Sequence, residues 1–538
     1  MKQYRLEVER YIKTWYYIGF VLLVAVVGYG YAAAHMTVNV DSIAYYTDYL
    51  GLRGDLMRSG RIGTIFWTYF FGHGNRVLEH TWSISVIGLA LLIWAGINYC
   101  ILFQKASGNS LSMSALTVFA ACFVSYPLMN EIWGYQGAII NVCGGHLVGS
   151  FVLLLLYQQL EKGKFHFWSS AVAVGLMVIC FSSFESYVTV YIFWVFALLF
   201  LQEVRNPNWK KHLIQGLWYC AAMVAGLVVM VIVRKMALIV LHLTFASNGA
   251  TQIYWLMQPF GETLKSLVLG IFNQHILTSV LYFPLMSTAV CCVIMALCGL
   301  WQLLRRRWFS ALLVLGMLAS LELLSVFQGM PAPFRACPAF GMIVAFVAMM
   351  AANILRWRKV VPLILCLFCL QQSVYMNKIF TLNHLRYEQE VTIIHDIGGQ
   401  LRAKHDLEKP VVFVGSCQLG NYVMEQALAP GDTWGYRTYT SVREQINNAV
   451  PGIIDQYEQW YFPQTNVQSV INWAARAFDT QKQMQSLFDF FGYRFTTTDD
   501  FYTDYEAAQA YIQENNTPSY PREGYIVELE DRILVHLG

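Results

Sequence analysis

The first apolar stretch of the chain, YYIGFVLLVAVVGYGYAAA at residues 16–34, decides the fold class. It carries no charged residue over the length that a helix needs to cross the roughly 30 Å hydrocarbon core of a bilayer. It is longer than the apolar core of a signal peptide, and no clean cleavage site follows it. The stretch therefore predicts a retained membrane-spanning helix.

Similar apolar blocks recur along the chain and stop at about residue 377, and their composition matches a membrane protein. Of 538 residues, 57% are hydrophobic and 13% are charged, about half the charged fraction of soluble proteins. The segment 169–201 is long for one span, and both its flanks are basic, so we predict two helices separated by a polar break at 182–186. The other predicted spans lie near residues 81–103, 112–129, 137–160, 215–233, 278–304, 309–327, 336–354 and 360–377. The sequence thus predicts a mainly α, polytopic membrane protein with about eleven spanning helices.

The distribution of charge predicts the orientation of these helices. From Ile379 onward the chain has 11 basic and 21 acidic residues, which leaves 25 basic and 12 acidic residues for the preceding part. The basic surplus lies in the N-terminal segment and in short loops, which is a topology signal rather than a nucleic-acid footprint. We expect a multi-pass protein of the cell membrane with a cytoplasmic N-terminus. An odd number of spans places the C-terminus outside, and no nucleic-acid partner is expected.

The last part of the chain has the pattern of a small soluble α/β domain. Residues 390–404 have helical periodicity, 411–414 form a short buried-strand pattern, and 524–537 read as two strands joined near residue 530. We therefore divide the chain into a transmembrane domain at 1–380 and an extracytoplasmic domain at 381–538. Gly415-Ser416-Cys417 after the strand resembles the start of a nucleotide loop, but the required glycines and lysine do not follow.

Cysteine and histidine spacing predicts no metal or other cofactor. The chain has 12 cysteines, but they show neither a disulfide framework nor zinc-ligand spacing, and the 12 histidines are scattered. A divalent metal held by carboxylates of the outer loops is the alternative, and no spacing supports it.

Three acidic residues on the predicted outer side are candidates for catalysis. Asp41 follows the first helix, and its carboxylate could accept a proton from a hydroxyl group. Glu131 follows the third helix, and Glu185 lies in the polar break. The alternatives are charges of an interfacial helix for Asp41, a solvated loop acid for Glu131, and a buried carboxylate bonded to neighbouring serines for Glu185.

Basic and aromatic residues on the same side are candidates for substrate binding. We expect Arg58, Arg61 and Arg335 to bind a phosphate, because guanidinium groups match phosphate oxygens bidentately. Sugar rings stack on aromatic faces, and the aromatic candidates are Tyr45, Tyr46, Trp133 and Tyr135. The alternative for these aromatic residues and for Arg335 is a role as membrane-interface anchors.

Several of these segments resemble one family, the glucosyl transferases of Gtr type II, which convert O-antigen serotypes. The resemblance is carried by DSIAYY at 41–46, Gly60-Arg61, YPLMNE at 126–131, Phe334-Arg335 and YPREGYIV at 520–527. It covers most of the chain by architecture, although each motif is short. One departure is Ile62, which stands where the pattern leads us to expect an aromatic residue.

The resemblance implies a GT-C type glycosyltransferase with a GT-C-like helical bundle. Such enzymes move a hexose, here expected to be glucose, from a polyprenyl-phosphate donor to a cell-surface polysaccharide on the outer face of the membrane. Asp41 would be the base, and basic residues near the surface would stabilise the leaving phosphate. A transporter or flippase of lipid-linked glycans is the main alternative, although the inverted repeats of such proteins are absent. A polysaccharide ligase or polymerase is a third possibility.

Overall fold

A computed structural model gives the architecture of most of the chain. It describes residues 2–38, 49–71, 81–134, 136–163, 166–243, 253–276, 282–355, 360–405, 407–417, 469–475, 480–498 and 500–538, with a few single positions between 441 and 448. Some side chains next to the gaps, including that of Glu131, are also outside the description.

The described part up to residue 404 is helical. Its α-helices are α1 Lys2–Lys13, α2 Trp15–Ala34, α3 Tyr49–Ser59, α4 Ile62–Phe71, α5 Thr81–Ala106, α6 Met113–Ser125, α7 Met129–Gly134, α8 Gln136–Lys162, α9 Phe167–Ser183, α10 Tyr187–Arg205, α11 Trp209–Val240, α12 Phe260–Ile276, α13 Tyr282–Leu304, α14 Trp308–Leu321, α15 Leu323–Gln328, α16 Ala339–Ile354 and α17 Val360–Lys404. Short 3₁₀ turns lie at Tyr254–Leu256 and Phe334–Ala336.

Each predicted span corresponds to a helix, which confirms a mainly helical membrane protein. Within the described ranges, seven helices are long and apolar enough to cross a bilayer, namely α2, α5, α8, α10, α11, α13 and α17. The other predicted spans correspond to the shorter apolar helices α6, α9, α14 and α16. The break predicted at 182–186 separates α9 from α10. The total of about eleven crossings stays a prediction.

One end of the helical bundle is basic. Lys105, at the end of α5, pairs with Glu7 of α1 at 3.2 Å. The Arg205 side chain at the end of α10 lies against the backbone of Gly108, and Lys211 lies in the first turn of α11. We call this end of the bundle the basic end. The opposite end, which carries α4 and the break between α9 and α10, is called the site end. The positive-inside rule predicts that the basic end faces the cytoplasm.

The C-terminal part forms a three-stranded sheet covered by helices on both faces. The strands are β1 Val411–Val414, β2 Ile526–Glu528 and β3 Ile533–His536, in the order β1-β3-β2. β1 is parallel to β3, with Val411 opposite Ile533, and β2 is antiparallel to β3. The covering helices are α18 Val470–Ala474, α19 Lys482–Phe490 and α20 Phe501–Glu514. The predicted strand at 411–414 and the predicted pair within 524–537 are confirmed.

Two hydrophobic cores meet along α17, a single helix of 45 residues. The core of the helical bundle extends along it to Leu382, and the core of the C-terminal domain begins with Ile393. The predicted domain boundary at 380/381 therefore falls inside a helix, not in a linker. Met36 and Val38, which follow α2, pack in the C-terminal core.

The loop after β1 is a strand-ending turn. Gly415 has a φ of +89°, and an added Cβ atom would lie 2.0 Å from the Gly538 carbonyl oxygen. The backbone N–H groups of Ser416 and Cys417 donate to Gly538 O at 2.9 Å and Asn472 Oδ1 at 2.7 Å. These two donors are already used within the protein, so neither of them is free to bind a phosphate.

The Cys417 thiol provides a test of this domain. It is buried, and burial raises its pKa to about 11. We expect slow modification by maleimide at neutral pH, because the thiolate is the reactive form. The matched control is Ser416→Cys in a Cys417→Ser background, since Ser416 is exposed. The rate is measured on the peptide that carries each residue, and equal rates for the two thiols would contradict this packing.

Candidate functional site

At the site end, α4 is seated on the end of α9 by polar contacts. The Gly63 backbone N–H donates to Ser182 Oγ at 2.9 Å, and Trp67 Nε1 donates to Ser183 Oγ at 3.1 Å. An added Cβ atom at Gly63 would lie 2.3 Å from the Ile179 carbonyl oxygen. The two helices can approach this closely because residue 63 has no side chain. This seat fixes the position of Arg61, which immediately precedes α4.

Arg61 and Glu185, both selected from the sequence, pair with each other. Arg61 Nε and Nη2 donate to the two Glu185 carboxylate oxygens at 3.1 and 3.3 Å. The side chains are 41% and 54% exposed. An exposed pair of this kind contributes only about 0–1 kcal/mol. An incoming phosphate could therefore displace the carboxylate from Arg61 at small cost.

Two further arginines lie next to this pair. Arg58 donates to Asp55 at 2.9 Å, and its carbonyl oxygen accepts a hydrogen bond from Arg234 of α11. The Arg234 side chain also packs on Gly60, whose φ is +88°. Arg58 and Arg61 come from the chain around the end of α3, and Arg234 comes from α11. We name these three residues the arginine cluster.

Arg234 was not selected from the sequence, although a signal was present. It stands beside Lys235 near the end of a long apolar helix, where a charge is costly and often functional. It also lies within electrostatic range of Glu185.

Arg335 lies apart from the arginine cluster, in the 3₁₀ turn before α16. This turn packs against α7, the helix that carries Glu131. Arg335 is half-buried and lines a small cavity together with Tyr126, Met129 and His146. The structure therefore brings the turn that carries Arg335 to the helix that carries the predicted acid Glu131.

His146 of α8 is a polar residue that the sequence analysis did not select. It is 1% exposed, and neither ring nitrogen has a hydrogen-bond partner. Its ring meets the edges of Phe123 and Tyr187 at centroid distances of 5.3 and 4.9 Å. A buried polar group without a partner is uncommon and marks a candidate for ligand contact. The available signal was a Gly-Gly-His sequence inside an apolar helix.

Tyr187 connects the two parts of the site. It begins α10, two residues after Glu185, and its ring contacts His146. An added Cβ atom at Gly145 would lie 2.3 Å from the Tyr187 ring. The Tyr187 hydroxyl donates to the Val142 carbonyl oxygen. Glu185 and the cavity that Arg335 and His146 line are thus separated by one layer of buried side chains.

Trp133, one of the aromatic candidates for sugar binding, is buried in the structure. Trp133 is 3% exposed, its indole N–H donates to Ser85 Oγ at 3.2 Å, and its ring packs on Tyr29 at 4.2 Å. The reason is that α7 turns back into the bundle, where Ile132 is also buried. Asp41, Tyr45, Tyr46 and Tyr135 lie outside the described residues, as does the side chain of Glu131.

The chain that leads to Asp41 is held by Arg386 of α17. Arg386 is 0% exposed and donates to the Val38 carbonyl oxygen at 2.7 Å. It also donates to Asn383 Oδ1 at 3.1 Å, and Asn383 in turn donates to Thr37 Oγ1 at 3.3 Å. The last described residues before Asp41 are therefore fixed to a long helix.

Glu390 extends this anchor into the C-terminal domain. One of its carboxylate oxygens accepts a bond from Arg386 at 2.5 Å. The other accepts bonds from the Ser469 hydroxyl at 2.8 Å and from the Val470 backbone N–H at 2.7 Å. The buried pair therefore joins three segments: the chain after α2, helix α17, and the start of α18. We name these contacts the Arg386–Glu390 anchor.

Within the described ranges, no group of three or more histidine, cysteine, aspartate or glutamate residues is placed to hold a metal ion. The polar groups that the site end offers are guanidinium, imidazole and carboxylate. This combination can bind an anionic group and exchange a proton.

Comparisons with known proteins identify the family. The comparison with curated proteins gives no match. Among solved structures, the chain is similar to ArnT from Cupriavidus metallidurans bound to undecaprenyl phosphate. The identity is 13%, over 84% of this chain and 92% of ArnT, and the TM-score of 0.37 is too low to support an argument about the site. The family model of glucosyl transferase GtrII matches residues 30–352, more than half of the chain. The chain therefore belongs to the GtrII glucosyl transferase family, and it is a membrane glycosyltransferase.

Proposed function

We propose that this enzyme transfers a hexose from a polyprenyl-phosphate donor to a cell-surface polysaccharide on the outer face of the membrane, and that this hexose is glucose. The observation that carries the proposal is the arginine cluster at the site end, within the segment that matches the GtrII family. A lipid-linked donor keeps its tail in the bilayer and its phosphate at the helix ends, where these arginines lie. Family membership favours this reaction over the transporter or flippase alternative.

In the proposed reaction, the bond between sugar C1 and the donor phosphate oxygen breaks, and a bond from C1 to an acceptor hydroxyl oxygen forms. Asp41 accepts the proton of that hydroxyl. Arg61 stabilises the negative charge that develops on the leaving phosphate, and Arg58 and Arg335 contribute positive charge. No divalent metal is required in this scheme.

Glu185 has a different role in this proposal from that of a base. Both of its carboxylate oxygens accept hydrogen bonds from Arg61, so the side chain is directed at that guanidinium group. Glu185 holds Arg61 in place until the donor phosphate replaces it. Asp41 is the preferred base, and Glu131 is the next candidate.

The first test of the proposal is Asp41→Asn, which keeps the size of the side chain and removes its basicity. We expect kcat to fall by about 10²- to 10⁴-fold, with membrane abundance and donor binding nearly unchanged. Transfer is measured in membranes of cells that lack the native enzyme, with a polyprenyl-phosphate sugar as donor. Asp55→Asn is the control, because that carboxylate is paired with Arg58. A near-normal rate for Asp41→Asn would move the base to Glu131.

The second test separates the roles of Arg61 and Glu185. Arg61→Ala should lower kcat/KM for the donor by about 10- to 150-fold, the effect of losing a hydrogen bond to a charged group worth about 1.5–3 kcal/mol. Glu185→Gln should keep kcat within about a factor of three and lower the donor KM, since phosphate no longer competes with a carboxylate. A hundredfold loss of kcat in Glu185→Gln would instead make Glu185 the base.

The third test concerns Arg386 as a positioning residue for Asp41. Arg386→Lys keeps the positive charge but cannot make all the bonds of the guanidinium fork. We expect a fall in kcat with little change in donor KM, because the arginine cluster is unaffected. Arg402→Ala is the control, since Arg402 is exposed on the same helix. If Arg386→Lys and Arg402→Ala lowered kcat equally, and lowered thermal stability equally, Arg386 would have a structural role only.

A further inference from the structure

A second cavity lies far from the arginine cluster, at the basic end of the bundle. Its volume is about 710 Å³, and it is formed by the last turns of α8, the first turns of α9 and the first half of α11. Its lining residues are Leu156, Gln159, Leu160, Gly163, Ser170, Val174, Lys211, Ile214, Gln215, Trp218, Tyr219, Ala221, Ala222 and Ala225. We name it the basic-end groove.

The polar groups of the groove are gathered toward the helix ends. Lys211 supplies a positive charge in the first turn of α11. Gln159 accepts a hydrogen bond from Ser170 at 2.9 Å, which leaves its amide Nε2 as a buried donor without a partner. Gln215 is 6% exposed, and its Oε1 is an acceptor without a partner. One cation and two amide side chains, one with an unpaired donor and one with an unpaired acceptor, therefore line a common space.

The rest of the groove is apolar and runs along α11. From Lys211 to Ala225 the helix rises about 21 Å at 1.5 Å per residue. This is somewhat more than the half-thickness of a hydrocarbon core, about 15 Å. The three alanines at 221, 222 and 225 leave room along this wall. The dimensions and the polarity gradient suit an acyl chain below a polar headgroup.

The groove opens toward the bilayer. Ile214 and Trp218 line it and are 57% and 51% exposed, and both lie on a helix long and apolar enough to span the membrane. Large apolar side chains with this exposure on a spanning helix face lipid. A lipid can therefore enter from the side.

We propose that the basic-end groove binds one anionic glycerophospholipid, with a hydroxylated headgroup such as glycerol, from the leaflet at the basic end. The phosphate lies at Lys211, an ester carbonyl accepts the free N–H of Gln159, and a headgroup hydroxyl donates to Gln215. The ester carbonyl distinguishes this ligand from polyprenyl phosphate, which has none. The site does not depend on the proposed transfer reaction, and it lies at the other end of the bundle.

Lipid binding to the purified full-length protein tests this proposal. Native mass spectrometry in detergent measures the binding of phosphatidylglycerol and of phosphatidylcholine with the same acyl chains. We expect the wild-type protein to prefer phosphatidylglycerol. Lys211→Ala should reduce that preference by about fivefold, the effect of about 1 kcal/mol for one basic residue near an anionic lipid.

Two more variants make the result specific to the groove. Lys210→Ala is the matched control, because the Lys210 ammonium lies over the Trp209 ring at 5.6 Å and does not line the groove. It should keep the preference. Ala222→Phe fills the groove and should remove one bound lipid of either kind, with thermal unfolding in detergent checked in parallel.

Equal effects of Lys210→Ala and Lys211→Ala would overturn the proposal, as would an unchanged number of bound lipids in Ala222→Phe. Undecaprenyl phosphate is tested in the same way. Tighter binding of that lipid than of phosphatidylglycerol, lost in Ala222→Phe, would overturn the assignment to a glycerophospholipid.

Discussion

The course of the chain that leads to Asp41 depends on one buried ion pair between Arg386 and Glu390. Both side chains are removed from water, with 0% and 3% of their side-chain surface exposed, and loss of one partner from such a pair typically costs about 3–5 kcal/mol. The pair is stable here because backbone and side-chain groups satisfy the remaining donors and acceptors. Its members link a helix that begins in the bundle, the chain that leads to Asp41, and the C-terminal domain. The C-terminal domain is therefore joined to the helical bundle through a polar core.

The contacts between Arg61 of the arginine cluster and Glu185 differ from the buried Arg386–Glu390 pair because they are exposed to solvent. Arg61 and Glu185 are substantially exposed, so their attraction is weak and exchangeable. An enzyme that must bind and release an anionic group benefits from such a pair, because the cation stays oriented without being held tightly. The Arg386–Glu390 anchor holds the chain segments together, and the weaker Arg61–Glu185 pair lies where the proposed donor phosphate would bind.

The sequence predicted the parts of the structure that depend on local pattern. The spans follow from the length of the apolar blocks, the break before Tyr187 from the length and the basic flanks of 169–201, and the strand at 411–414 from its short apolar run. The roles of Arg234 and Arg386 could not be read in this way, because they depend on contacts such as that between Arg386 and Val38, which are 348 positions apart. The burial of Trp133 could not be predicted for a related reason, because it depends on the direction in which α7 turns. The sequence shows His146 inside an apolar helix, but only the structure shows that neither of its ring nitrogens has a hydrogen-bond partner.

The uninterrupted course of α17 has a mechanical consequence. Forty-five residues in one helix extend about 68 Å, more than twice the hydrocarbon thickness, with no hinge between bundle and domain. A stiff rod of this kind acts as a lever arm. A small tilt of its membrane-embedded half displaces the far end by a larger distance, and Val38 moves with it. A change in bilayer thickness or lateral pressure that tilts α17 would therefore move the chain that leads to Asp41.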